Sequence, residues 1–168
     1  MRRIFPLALV AFGFLLSVAA FGQAYRTNPN LISKTNILPA QVAGLDLTSS
    51  TSGESAISEF TSMHGKEFPV ISGDIGYYGD GRITLWVAGT STDAVAAEMV
   101  SSMQDRIAEG NSPFTPVNEI QNGNRTVYVL DGMEQKHYYF QSNHLVIWLA
   151  AQPSIAQEAT QQILEVYQ

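Results

Sequence analysis

Three histidines, His64, His137 and His144, supply every imidazole in the 168-residue chain, and there is no cysteine. Thiol chemistry and thiolate metal sites are excluded, so acid–base or zinc chemistry would rest on these three side chains. Their spacing gives that chemistry little support. His137 and His144 can share one face of a hairpin, but pairing across its turn sets them about four residues apart along the strands. That is roughly 13 Å at the rise of an extended chain, too far for one ion to bridge unaided. No His-x-His or Glu-x-x-His pair stands beside them. His64 ends a helical segment, where an imidazolium suits the negative end of the helix dipole. A hydrolase using His64, His137 or His144 is therefore the least favoured function.

The other chemical motifs also have plainer readings. No Gly-x-Ser-x-Gly occurs, so a nucleophile elbow has no basis. Gly79-Asp80-Gly81 leads into a strand rather than a helix, which suits a hairpin turn better than a phosphate cradle. Met63, Met99 and Met103 fall at helical spacing and read as core. Asp74, Asp80, Asp131 and Glu134 sit near turns without the spacing of a calcium loop. Asn124-Arg125-Thr126 fits a glycosylation sequon on a tight turn, relevant only in a eukaryotic secretory route. No cofactor or metal is implied.

What remains is a set of aromatic residues on paired strands. Residues 133–150 read as two strands meeting at Ser142-Asn143, which pairs Gln141 with His144, Tyr139 with Val146 and His137 with Trp148. One face then carries Tyr138, Phe140, Leu145, Ile147 and Leu149 and is the core face. The other carries His137, Tyr139, Gln141, His144, Val146 and Trp148, aromatic but mixed with polar groups. An earlier hairpin, Ile75 to Ala88 around Asp80-Gly81, repeats the pattern. Tyr78, Ile83, Leu85 and Val87 point inward there, and Ile75, Tyr77, Arg82, Thr84 and Trp86 outward. Both tryptophans land on the second face. Tyr77, Trp86, His137, Tyr139 and Trp148 are thus the candidate ligand- or partner-binding residues. The competing reading is that the chain's own helices cover that face.

Helices and turns complete the frame. Ile37 to Leu47 suits a first or edge strand, and Thr48 to Gly53 a Ser/Thr-rich loop. Thr51 and Glu54 stand in capping-box spacing before a helix that stops at Gly65. Strands follow over Glu67–Gly79 and Arg82–Gly89, then a helix opened by Ser91, Thr92 and Asp93 with a stripe of Val95, Met99, Met103 and Ile107. A meander begins at Val117, with turns at Asn122-Gly123 and Asp131-Gly132. Ser154 and Gln157 form a second capping box before a C-terminal helix marked by Ile155, Ala159, Ile163 and Tyr167.

The expected fold is α+β, an antiparallel sheet built from hairpins with about three helices, in the order β-α-β-β-α, β meander, α. Its opening is similar to a ferredoxin-like unit. Hairpin-then-helix occurs twice, with Tyr77 nine residues before Trp86 and Tyr139 nine before Trp148; a partial duplication and coincidence among common β residues both account for this.

Met1-Arg2-Arg3, an uncharged apolar run to Ala24 and the exit Gly22-Gln23-Ala24 read as a secretory signal peptide over residues 1–24. An uncleaved anchor is the rival, opposed by Pro6, Gly13 and Ser17. Residues 25–36 read as a flexible leader, and residues 37–168 as a single α+β domain. Without a cysteine there is no lipid attachment, so a secreted or periplasmic protein is expected, with no membrane association after cleavage. Loss of Arg2 and Arg3 would take the formal charge from −6 to −8. An acidic chain without a basic run is a poor partner for nucleic acid. The expected function is a non-enzymatic domain that binds a protein partner or itself through the aromatic face. The alternative is a protein that holds an apolar or aromatic small molecule against Trp86 and Trp148.

Overall fold

The computed structural model describes residues 37–64, 69–110 and 112–168. The expected signal peptide and leader, the helix stop at Gly65 and the strand start at Glu67 lie outside the described residues. The described elements run β1 (Gln41–Val42), β2 (Leu45–Ser52), α1 (Glu54–His64), β3 (Val70–Tyr78), β4 (Ile83–Thr90), α2 (Asp93–Ala108), β5 (Thr115–Asn122), β6 (Arg125–Gly132), β7 (Gln135–Ser142), β8 (Leu145–Ala151) and α3 (Ala156–Val166). All eight strands form one antiparallel sheet in the order β1-β2-β3-β4-β8-β7-β6-β5. The α+β class, the three helices and the meander agree with the reading of the sequence.

Topology departs from it at the start. A split β-α-β unit keeps the strands flanking its helix apart, with another strand between them. Here β2 pairs directly with β3, Thr51 opposite Ile75, and α1 is an excursion across one face. The two hairpins also differ in register. Trp86 lies opposite Ile75, whereas Trp148 lies opposite Tyr139, so the shared spacing of nine does not become shared pairing. The helices that follow them pack on opposite faces, α2 against Tyr139 and Val146 and α3 against Phe140 and Ile147.

The Ser/Thr-rich segment expected as a loop is most of β2. Its residues are largely exposed, and β-branched threonines tolerate an exposed, pleated edge. Thr51 is therefore in the sheet, and Gly53 O accepts the Ile57 amide at the start of α1, so the first capping box does not form. Nor does the second, since no side chain caps α3. At α2 the Thr92 side chain accepts from Val95 N, as its spacing implies.

Two meander turns sit one or two residues later than composition suggests. Ser142 pairs with Leu145, leaving Asn143-His144 as the turn, and Gly132 pairs with Gln135, leaving Met133-Glu134. Met133 and Glu134 take φ of +51° and +62°, the left-handed pair that a tight hairpin needs, without glycine at either position. The slide in the last hairpin re-pairs Gln141 with Val146 instead of His144, a shift of two. Because side chains alternate with a period of two, every residue keeps its face.

The first face forms the larger core. Tyr78, Ile83, Leu85, Val127, Phe140, Ile147 and Leu149 are buried against Ala156, Ala159 and Ile163 of α3. The segment before β1 closes this core. Tyr78 donates to Pro39 O at 3.0 Å and Tyr167 to Ile37 O at 2.7 Å, while Leu38 and Val42 are buried in the same cluster. Burial raises both phenol pKa values above the ordinary tyrosine range. Arg125 anchors the end of α3, donating to the carbonyls of Leu164 and Tyr167 while its guanidinium lies 5.4 Å from the Phe140 ring centre.

Candidate functional site

Register alone assembles the aromatic face. Glu119, Tyr128, Tyr139, Trp148, Trp86, Ile75 and Thr51 are successive cross-strand partners, forming one row across six pairings from β5 to β2. The two tryptophans face each other because β4 and β8 are neighbours. Tyr139 stacks on Trp148 with centroids 5.0 Å apart and planes 13° apart, and on Tyr128 at 4.9 Å and 24°. Offset stacking of this kind adds about 0.5–1.5 kcal/mol per pair beyond burial.

The row is covered from above by two helices. Ala56 and Phe60 of α1 lie over Ile75, with Tyr77, Trp86 and Ala88 against them. Ala96, Val100 and Ile107 of α2 lie over Leu130, Tyr139 and Val146, with Trp148 and Tyr128 against them. Tyr139 is 2 % exposed and His137 3 %, whereas Trp86, Trp148 and Tyr77 are half-buried. The chain's own helices therefore cover most of the face that the sequence left open. Tyr77, Trp86, Tyr139 and Trp148 lie beneath them, Tyr77 with Trp86 under α1 and Tyr139 with Trp148 under α2, while His137 beside Trp148 is covered by Phe114.

Within this layer the polar tips are not equivalent. Trp148 Nε1 donates to His137 Nδ1 at 3.1 Å, and His137 Nε2 lies 3.0 Å from the Gly132 carbonyl oxygen. Since Nδ1 accepts, Nε2 carries the proton and donates to Gly132, and the ring is neutral. Phe114 closes the box with its ring 4.7 Å from His137 and 5.1 Å from Trp148. Tyr77 instead donates to Glu59 at 3.1 Å; burial, then that bond and the Glu59 charge, raise its pKa. Trp86 Nε1 is buried with no acceptor among the described residues.

Both nitrogens of His137 are thus engaged, so it neither ligates a metal nor offers a base in this arrangement. Burial lowers its pKa, against smaller opposing effects of the Gly132 carbonyl and the Asp131 charge. The sign follows. The unfolded chain takes up a proton as pH falls below about 6.5 while the folded imidazole resists it, so stability declines as pH falls there, by at most about 1.4 kcal/mol per pH unit. Chemical denaturation at pH 8, 6.5 and 5 should show this decline reduced in His137→Gln. Equal slopes for wild type and variant would show that His137 is not the proton-excluding group.

His144 is exposed in the β7–β8 turn, where its carbonyl accepts from the Thr90 amide and hydroxyl. His64 is at the end of α1, its Nδ1 2.8 Å from Phe60 O. His137 is buried within β7, His144 is exposed at the turn of the same hairpin and His64 ends α1, and none of the three lines either of the surface hollows near the β5–β6 and β7–β8 turns. Among the described residues, no three His, Asp or Glu side chains cluster as metal ligands, and no helix is long and apolar enough to cross a membrane.

Phe114 and Tyr128 complete the aromatic layer but escaped the sequence reading. Tyr128 sits in a strand of alternating character, and extending the row across the meander would have found it. Phe114 lies between two prolines in an aperiodic stretch, which carries no such signal. Comparison with known proteins returns no matching family model, no matching curated protein and no matching solved structure.

Proposed function

We propose that this is an exported, non-enzymatic domain that assembles with a second copy of itself, edge to edge through β5. The observation that carries the reading is that all eight residues of β5 are exposed although the strand ends an eight-stranded sheet. Its outer edge offers unpaired amides and carbonyls, the usual template for strand addition. The opposite edge suits this less well, because β1 covers the start of β2 and the register shifts between Leu47 and Ser49. The aromatic layer beneath α1 and α2 then acts as the rigid support of the sheet rather than as the contact itself.

The sequence of β5 is self-complementary past its irregularity at Pro116–Asn118. Two copies related by a two-fold axis normal to the sheet would pair Ile120 with Ile120, Glu119 with Gln121, and Asn118 with Asn122. No like charges meet, and Pro116 stays outside the ladder. Ile120, 40 % exposed, gains cover at the axis. Five paired residues make a small interface, so the dimer is weak and visible only at high concentration.

Sedimentation velocity on residues 25–168, from micromolar to about 1 mM, is expected to show a reversible dimer that Ile120→Lys abolishes. The variant should unfold within about 0.5 kcal/mol of wild type, because the position is exposed. A wild-type monomer at every concentration would overturn the proposal.

A further inference from the structure

A polar cleft opens at the end of the sheet that carries the β5–β6 and β7–β8 turns, and Asn122 at the end of β5 contributes to its lining. Its larger part, about 860 Å³, lies between those turns and the end of α3. A smaller hollow of about 400 Å³ lies toward the start of α2 and shares Asn124, Arg125 and Asn143 with it. Each part is of the size that binds small ligands, but the lining is unlike an apolar pocket. Amides dominate: Asn122, Asn124, Asn143, Gln161 and Gln168 in the larger part, with Gln141 in the smaller.

Its charges argue against an anionic ligand. Arg125 is the lone cation in the lining, and its two terminal nitrogens donate to Leu164 O, Tyr167 O and Asn122 Oδ1. Asp93 and Glu165 line opposite parts and would repel an anion. The amides, by contrast, keep capacity in reserve. Gln141 donates to Asp93 O and Asn143 O, and Asn143 donates to Gln168 O, which leaves their side-chain oxygens free to accept. The Asn124 and Gln161 side chains bond to none of the described residues. An amide offers a donor and an acceptor side by side, the complement of adjacent hydroxyls. Tyr128, half-buried, adds an aromatic flank to the smaller hollow.

From this lining we infer that the cleft binds a neutral, polyhydroxylated ligand, an oligosaccharide in chemical class. The test is titration of ¹⁵N-labelled protein with cellotetraose, maltotetraose and chitotetraose in turn, following amide shifts. The expected result is saturable binding of at least one, with the largest shifts at Asn124, Arg125 and Asn143. Asn124→Ala/Gln161→Ala, which removes no internal bond, should weaken that binding at least tenfold while the remaining spectrum is unchanged. Absence of saturable binding for all three, or binding indifferent to the double variant, would overturn the inference. So would tighter binding of inorganic sulfate than of any sugar at the same residues. Neither result bears on the β5 dimer, which is read from mass rather than from these signals.

Discussion

Replacing Trp148 by alanine is expected to lower the unfolding free energy by about 3 kcal/mol, the lower end of the range for emptying a buried aromatic site because Trp148 is half-buried. Three losses coincide there. The stack on Tyr139 goes, Phe114 loses one of its two ring partners, and His137 Nδ1 loses its donor. Phenylalanine variants separate the polar part from the packing. Trp148→Phe keeps a ring but strands the buried imidazole nitrogen, costing about 2 kcal/mol. Trp86→Phe also shortens a ring, yet it removes an indole N–H that is buried without an acceptor. Relief of that unsatisfied donor offsets the lost area, so its net cost stays below about 1 kcal/mol. Urea denaturation of the two phenylalanine variants checks the contrast. Equal costs would mean that the Trp148–His137 bond contributes nothing net.

This asymmetry shows what the sequence could and could not reveal. Alternation along single strands placed Tyr77, Trp86, Tyr139 and Trp148 on one face, because the period of two is local and survives a two-residue slide in register. The meeting of Trp86 with Trp148 depends on β4 lying beside β8, a pairing between residues 62 positions apart in the chain. No local pattern encodes it. The same limit explains β2. Its serines and threonines carry no hydrophobic alternation, and the strand exists because β3 supplies a ladder for it. Turn chemistry misled for a different reason. Asp131-Gly132 has the composition of a turn, but Gly132 is a strand residue, and Met133-Glu134 accept the left-handed conformation instead.

The cover of the aromatic face was legible only as an alternative. The stripe on α2 and the apolar residues of α1 were visible as periodicity, but either helix could have packed on either face. The deciding restraints are short connections. Gly53 alone separates β2 from α1, and Ser91-Thr92 separates β4 from α2. With so little chain, each helix turns straight back onto the sheet, α1 over β3 and α2 over β7 and β8, in both cases onto the second face. The segment from Gln152 to Ile155 instead carries α3 to the first face. Candidate chemistry was thus converted into core by the direction of two brief loops. The polar cleft draws its lining from two turns, the strands beside them and two helices, so no single stretch of sequence announces it.

Gly132→Ala is expected to cost about 2 kcal/mol, typical of overpacking, although the backbone there is ordinary extended chain that any residue adopts. The cause is a close approach. A Cβ on Gly132 would sit 2.6 Å from the Phe114 ring and 2.7 Å from the Pro113 carbonyl oxygen. The ring can tilt, but the carbonyl belongs to backbone that leads into β5. Relief therefore requires this segment to lift from the end of β6, taking Phe114 off His137 and Trp148. Gly132 O is also the acceptor for His137 Nε2, so the same displacement admits water to the imidazole. Two readouts follow from one cause: lower stability, and a His137 pKa that rises from its depressed value toward the usual histidine range, measured by NMR titration. Loss of stability with an unmoved His137 would place the strain elsewhere. A variant as stable as wild type would show that Pro113 and Phe114 do not hold the lid of this box.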